Sequence, residues 1–313
     1  MVSLRAAILL AIALAFSATS HAGEAQWKAR YDAANEALMQ TDIERSKALF
    51  AALGKDLEAA LREELAKGKD RADTATAEVW LASVYLNQGR YPDAARLLQT
   101  AYDVRVKKFG ETSEPVAEVI DRLARLGSDE EEAIVMLRRA LEIREKVHGP
   151  DHRAIAANLH DIGINRLTVH RYGEAEAAYK RAIAIVERLA GGDNVELVEP
   201  LNDLAWLYLA ADREKDAIPI YRRALAIVEK TAGSDDDRLA DALEHLAYAY
   251  RNAERLGEAE PLYLRAVPIR ERLHGPAHLL TLSPIGHLKD IYDAQGRRKE
   301  AEEMDRRLAP EGR

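Results

Sequence analysis

The chain has no cysteine. Disulfides, thiol nucleophiles and cysteine-bound zinc are therefore excluded, and so is a lipid anchor on an N-terminal cysteine. Phenylalanine is nearly absent, with 3 residues, and proline is sparse, with 10 in 313. Few positions thus break a helix, while Ala, Leu, Glu and Arg, all good helix formers, are abundant. The glycine-rich P-loop, GxGxxG, HExxH and GxSxG signatures are missing. An excess of basic charge is missing too: the net charge is -8, the wrong sign for a nucleic-acid partner. After the first 22 residues no stretch is apolar and long enough to cross a bilayer, so no membrane insertion is expected of the rest.

Those first residues, "MVSLRAAILLAIALAFSATSHA", place one positive charge, Arg5, before the apolar run Ala6–Phe16. Small residues Ser20 and Ala22 then precede Gly23. This is the pattern of a secretory signal peptide over residues 1–22, cleaved before Gly23. An uncleaved anchor is the competing reading, but the run is about half of the ~20 residues that span a bilayer. The expectation is an exported protein, periplasmic or secreted.

What the chain has in abundance is self-similarity. "EAIVMLRRALEIREKVHG", "EAEAAYKRAIAIVERLAG", "DAIPIYRRALAIVEKTAG" and "EAEPLYLRAVPIRERLHG" align without gaps, as does "DAARLLQTAYDVRVKKFG" before them. Their first alanines are Ala94, Ala133, Ala175, Ala217 and Ala259, with Ala301 beginning a sixth copy; the steps are 39, then 42 throughout. A second alanine recurs at Ala101, Ala140, Ala182, Ala224 and Ala266. A glycine closes each copy at Gly110, Gly149, Gly191, Gly233 and Gly275. A leading motif precedes each copy, with Leu81, Leu123, Ile162, Leu204, Leu246 and Leu288 in register and Tyr85, Tyr208, Tyr250 and Tyr292 four residues on. The three residues missing from one step fall in the link "RLGSDEE".

Each copy reads as a helix pair. Leu201, Leu204, Ala205 and Tyr208 form one apolar helical face, and Ile220, Tyr221, Ala224 and Ile227 form another. Alanines at fixed sites let two helices approach closely. Pro219 and Pro261 are expected in the first turn of the second helix, where proline is tolerated, and Pro268 is expected to kink its helix. Residues 23–72 depart from the motif. Trp27, Tyr31, Ala34 and Leu38, then Leu49, Leu53, Leu57 and Leu61, still form helical stripes, which suits a degenerate capping region. Residues 310–313 are left as a tail.

"VHGPDH" poses a separate question, because His148 and His152 have a spacing that suits a metal. At the first position the other copies carry Phe109, Ala190, Ala232 and His274; at the second, Ser113, Asn194, Asp236 and His278. Phenylalanine and alanine at the first position imply packing. Short polar residues at the second imply a helix N-cap. The turn reading is therefore favoured over the metal reading, and neither a metal nor a cofactor is expected.

Leu-Ala-x-x-Tyr, a turn, then Ala-x-x-x-Tyr-x-x-Ala resembles the tetratricopeptide repeat. The 42-residue period and the tails "ALEIREKVHGPDH" and "AVPIRERLHGPAH" look like its kinesin-light-chain type over residues 73–309. The resemblance implies an all-α fold, a right-handed α-solenoid of antiparallel helix pairs with about six repeats. It also implies an interaction scaffold rather than an enzyme, with first helices lining a concave peptide-binding groove. Placed on that face are Asp121; His160 and Ile164; Glu199, Asn202, Trp206 and Leu209; and Asp241, Glu244, Tyr248 and Arg251. Asn202 matches an asparagine of the family motif, whereas Asp121, His160 and Glu244 depart from it. Trp206 and Tyr248, 42 apart, are either binding anchors or packing between repeats. With Glu118 added, the face is expected to be acidic and to suit a basic protein or peptide segment with an apolar anchor. The rival readings are a structural assembly factor or an enzyme accessory subunit that uses the edges or convex face, with self-association open.

Overall fold

The computed structural model describes residues 22–39, 42–66, 71–127, 129–233 and 236–309. Apart from Ala22, the expected leader lies outside these residues, as does the tail 310–313. The chain forms two compact units, residues 1–165 and 166–313. Among the described residues all regular structure is helical.

In the first unit the helices are α1 (Ala22–Met39), α2 (Ile43–Ala66), α3 (Arg71–Asn87), α4 (Tyr91–Phe109), α5 (Glu114–Leu126), α6 (Glu130–His148) and most of α7 (Arg153–Thr168). Helices α1 to α6 pack in sequence, each against the next. The second unit holds α8 (Tyr172–Ala190), a short 3-10 turn, α9 (Val198–Ala210), α10 (Glu214–Thr231), α11 (Asp237–Asn252), α12 (Leu256–His274), α13 (Leu279–Ala294) and α14 (Arg298–Leu308), again stacked in chain order. The short turns make neighbours antiparallel. The fold is all-α, a solenoid of helix pairs.

The alanine registers explain the close packing. Ala94, Ala175, Ala217 and Ala259 are buried, as are Ala101, Ala140, Ala182, Ala224 and Ala266. In the first unit Tyr31 meets Phe50 and Trp80 edge-on, at 5.4 and 5.7 Å between ring centres. Trp80 is therefore core, and Leu53 and Leu57 of α2 are buried with it. Ser46 donates to the carbonyl of Ala34 at 2.8 Å, fastening α2 to α1.

A recurrent turn closes five of the pairs. Five arginines in register, Arg90, Arg171, Arg213, Arg255 and Arg297, donate their backbone N–H to the carbonyl five residues back, at 2.8–2.9 Å. The residue before each arginine has positive φ: Gly89, His170, Asp212, Glu254 and Gly296. Three of these are not glycine, although this region disfavours side chains. Four of the arginines lie over the register tyrosines, with the guanidinium 3.6–4.7 Å from the ring centres of Tyr85, Tyr208, Tyr250 and Tyr292. At the other end of the pairs Gly110, Gly149, Gly191 and Gly275 take positive φ, but Gly233 does not.

One expectation about proline needs correction. Pro219 and Pro261 are each the sixth residue of their helix, beyond the first turn. The carbonyls they leave unbonded belong to Lys215 and Gly257, both exposed, so water can serve them. Pro268 lies inside α12, and the carbonyl it leaves unbonded belongs to exposed Leu264.

Second helices are laced on their outer side by ion pairs. Arg223 meets Glu187 at 2.6 Å, Arg265 meets Glu229 at 2.7 Å and Arg307 meets Glu271 at 2.7 Å. The recurring glutamates thus serve as rungs between successive repeats.

Candidate functional site

The expected groove residues lie in two separate settings, one in each unit. In the first unit Asp121 is buried on α5 and bound by Arg144 of α6 at 2.5 Å and by the Asn158 amide of α7 at 3.0 Å. His160 is buried as well, and Ile164 is half-buried. Glu118 is held by Arg105 at 2.7 Å and Arg122 at 3.2 Å. Its carboxyl stays below the ordinary glutamate range: burial opposes ionisation, but Arg122 and Arg105 together outweigh it.

In the second unit Asp241 and Glu244 of α11 converge with Asp237 on one buried guanidinium, that of Arg270 on α12. Its Nε lies 2.9 Å from Glu244 and its Nη1 2.7 Å from Asp237, while Nη2 binds Asp241. The expectation of a free acidic face therefore needs correction. Asp121, Asp241, Glu244 and Glu118 are occupied in holding arginines that are themselves buried, because a charge removed from water requires a partner. Leu209 is also buried rather than groove-lining.

These arginines were missed by the sequence reading, and they follow a rule. Arg105, Arg144, Val186, Val228 and Arg270 share one register position. Where arginine stands inside repeats two and five, the same repeat's first helix supplies acids: Glu114 and Asp121, or Asp237, Asp241 and Glu244. Where valine stands, those positions are Arg153, Ala157 and His160, or Val195, Glu199 and Asn202.

The same two repeats carry the histidine pairs. His152 and His278 accept from the N–H of Ala154 and Leu280 at 3.2 and 3.3 Å, as N-cap residues do. Asn194 and Asp236 cap in the same way, but Ser113 donates instead to the Gly110 carbonyl. His148 and His274 have more than a packing role: they contact Glu114 at 3.0 Å and Asp237 at 2.7 Å. Each stacks on its partner ring, with centres 4.0 and 4.9 Å apart.

The structure does bring Trp206 and Tyr248 together. Their rings lie 6.1 Å apart at 28°, on α9 and α11. Trp206 keeps 37% of its surface exposed and Tyr248 is half-buried. Arg251 lies 5.4 Å from the Tyr248 ring centre and donates to His287 at 2.8 Å and Asp290 at 3.2 Å. One turn before Trp206, the Oδ1 of Asn202 is buried and accepts no hydrogen bond among the described residues. Glu199 precedes it by another turn. Among the described residues no group of three His, Asp or Glu side chains is placed so that it could hold a metal ion.

Comparison with known proteins follows the same lines. The tetratricopeptide repeat model matches residues 128–188, 167–230 and 238–309, more than half the chain, and a second tetratricopeptide repeat model matches 81–114. No curated protein matches the sequence. Among solved structures, BtubC (BKLC) from P. vanneervenii is 20% identical with a TM-score of 0.61, covering 72% of this chain and 91% of its own. A putative kinesin light chain from P. anserina with nearly identical TPR-like repeats is 20% identical, with a TM-score of 0.57, over 63% of this chain and 95% of its own. A Rap protein complexed with Competence and Sporulation Factor is 17% identical, with a TM-score of 0.56, over 93% and 75%. The chain belongs to the tetratricopeptide repeat family.

Proposed function

We propose that this protein is an exported interaction scaffold. It binds an extended segment of another protein on the first-helix face of residues 166–313. The observation that carries the reading is the Trp206–Tyr248 pair: two aromatic rings from neighbouring first helices, stacked and still reachable by solvent. Rigid aromatics of this kind contribute much contact area at little entropic cost. Asn202 and Glu199 precede Trp206 by one and two turns on the same helix. A partner with an apolar anchor fits. A basic neighbour to that anchor suits Asp241, which remains half exposed while bound to Arg270. The Rap structure, solved with its factor bound, is an example of a related fold in complex.

Affinity capture from the native envelope identifies the partner. Calorimetry then compares the wild type with a Trp206→Ala, Tyr248→Ala variant. Anchors of this type contribute about 2 kcal/mol or more each, so affinity should fall at least ~30-fold. Normal binding by a variant that is folded by circular dichroism would move the site elsewhere. The edge is then the place to look, because Leu273 and Leu279 are exposed where α12 passes to α13. Export is tested by sequencing the N-terminus of secreted material. Gly23 should lead it, and an intact Met1 would refute cleavage.

A further inference from the structure

The two arginine clusters differ in charge balance. In the first unit Arg105, Arg122 and Arg144 face Glu114, Glu118 and Asp121, one cation for each carboxylate. In the second unit Arg270 alone faces three carboxylates. Arg270 is buried, at 3% exposure; Asp241 and Asp237 keep contact with water, so the excess negative charge weighs most on Glu244, the most enclosed of the three. Fully ionised, the second cluster carries two unmatched negative charges. His274 contacts Asp237 at the rim of the cluster, and a proton taken up by a carboxylate removes one of the unmatched charges.

We propose that Asp237, Asp241 and Glu244 of α11, gathered on Arg270 of α12 beside His274, form a proton-operated latch. It holds this helix pair tight when the cluster carries an added proton and loosens it when the cluster is fully ionised. Glu244 is the group that takes the proton, being the least exposed of the three carboxylates, at 18% against 29% and 52%. Burial pushes its carboxyl up to about 7, with help from Asp241 and Asp237 and against the pull of Arg270. The other titratable and charged groups around it are His245, Tyr248 and Arg251 on α11, Tyr263 on α12, His278 at the N-cap of α13, and His287 and Asp290 on α13. Asp203 of α9 and Tyr221 of α10 stand beside His245. In the unfolded chain this glutamate ionises at its ordinary, lower pH. The folded form therefore binds the extra proton, and its stabilisation is present at acid pH and lost as pH rises through about 7. The latch depends on this cluster alone and not on the groove reading.

The test is thermal unfolding of the purified protein at constant ionic strength from about pH 5.5 to 8.5, paired with a carboxyl-carbon NMR titration. The melting temperature of the wild type should fall across this range. Glu244→Gln, which keeps the shape but cannot ionise, should flatten that fall. Glu118→Gln, in the balanced cluster, should leave the fall in place. The Glu244 carboxyl should titrate near neutrality. A wild-type melting temperature that does not fall, an unchanged slope in Glu244→Gln, or a Glu244 midpoint in the ordinary glutamate range would each overturn the latch. Should Glu244→Gln fail to fold, the wild-type titration still decides.

Discussion

Replacing Arg270 by valine copies the residue that the preceding repeat carries at Val228, and the structure sets the cost. Removing one partner from a buried ion pair typically costs about 3–5 kcal/mol, because a charge is left without compensation. Here the three carboxylates do not suffer equally. Asp241 and Asp237 keep 52% and 29% of their side-chain surface and can recover water. Glu244, at 18%, cannot do so fully. The loss should therefore lie near the low end, about 3 kcal/mol. It should shrink below neutral pH, where Glu244 takes up a proton. Adding Asp237→Val and Glu244→Asn restores the set that accompanies valine in the fourth repeat, Val195 and Asn202. That triple variant should regain at least half of the loss, since packed apolar residues often replace a buried ion pair without penalty. Hydrogen exchange of the α11 and α12 amides is the appropriate assay, because repeats open locally. If the triple variant exchanges as fast as Arg270→Val alone, the coupling between this arginine and its acids is refuted.

Three further outcomes are expected. Ala224→Leu, at a buried site between stacked helices, should cost on the order of 1–3 kcal/mol and lower the melting temperature; an unchanged melt would show that the helices do not meet closely there. Glu254→Gly should stabilise the protein, because a left-handed side chain costs about 1–2 kcal/mol and glycine gives back about 0.5–1 in chain entropy. The gain in denaturant midpoint should be small and positive, and a decrease would mean that the Glu254 side chain has another role. Glu176 is held at about 2 by Lys180 first, with Arg213 and Tyr208 also bonded to it. Its stabilising contribution is present above the ordinary glutamate range and lost as pH falls toward about 2, so an acid titration should destabilise the wild type more than Glu176→Gln.

The fold was legible because its signals have a fixed register. Alanines that must be small, tyrosines that must be large and caps that must be polar recur at steps of 42 residues, once 39, so these weak patterns reinforce one another. The Trp206–Tyr248 contact followed from the same arithmetic. The charged site did not. Asp121 and Glu244 look like surface residues, since charge in a sequence says nothing about burial. Their arginines sit 23 and 26 residues away and alternate with valine in other copies, which hides the position among apolar neighbours. A clue was present: the two copies with His-Gly-Pro-x-His are also those with this arginine and the matching acids. The left-handed turn was equally concealed, because glycine marks it only at Gly89 and Gly296.

The fifth repeat has a consequence for engineering. Arg270 and its three carboxylates all lie between Gly233 and Gly275, inside a single period. A segment cut at those glycines carries Arg270 together with all three of its acidic partners. It can be duplicated, deleted or grafted into another array of the same period without stranding a buried charge. The second repeat is not portable in this sense. Glu118 depends on Arg105 from the copy before it, and Arg122 donates to Ser83, also of that copy. Within one chain, then, some repeats are interchangeable parts, whereas others are fixed to their neighbours.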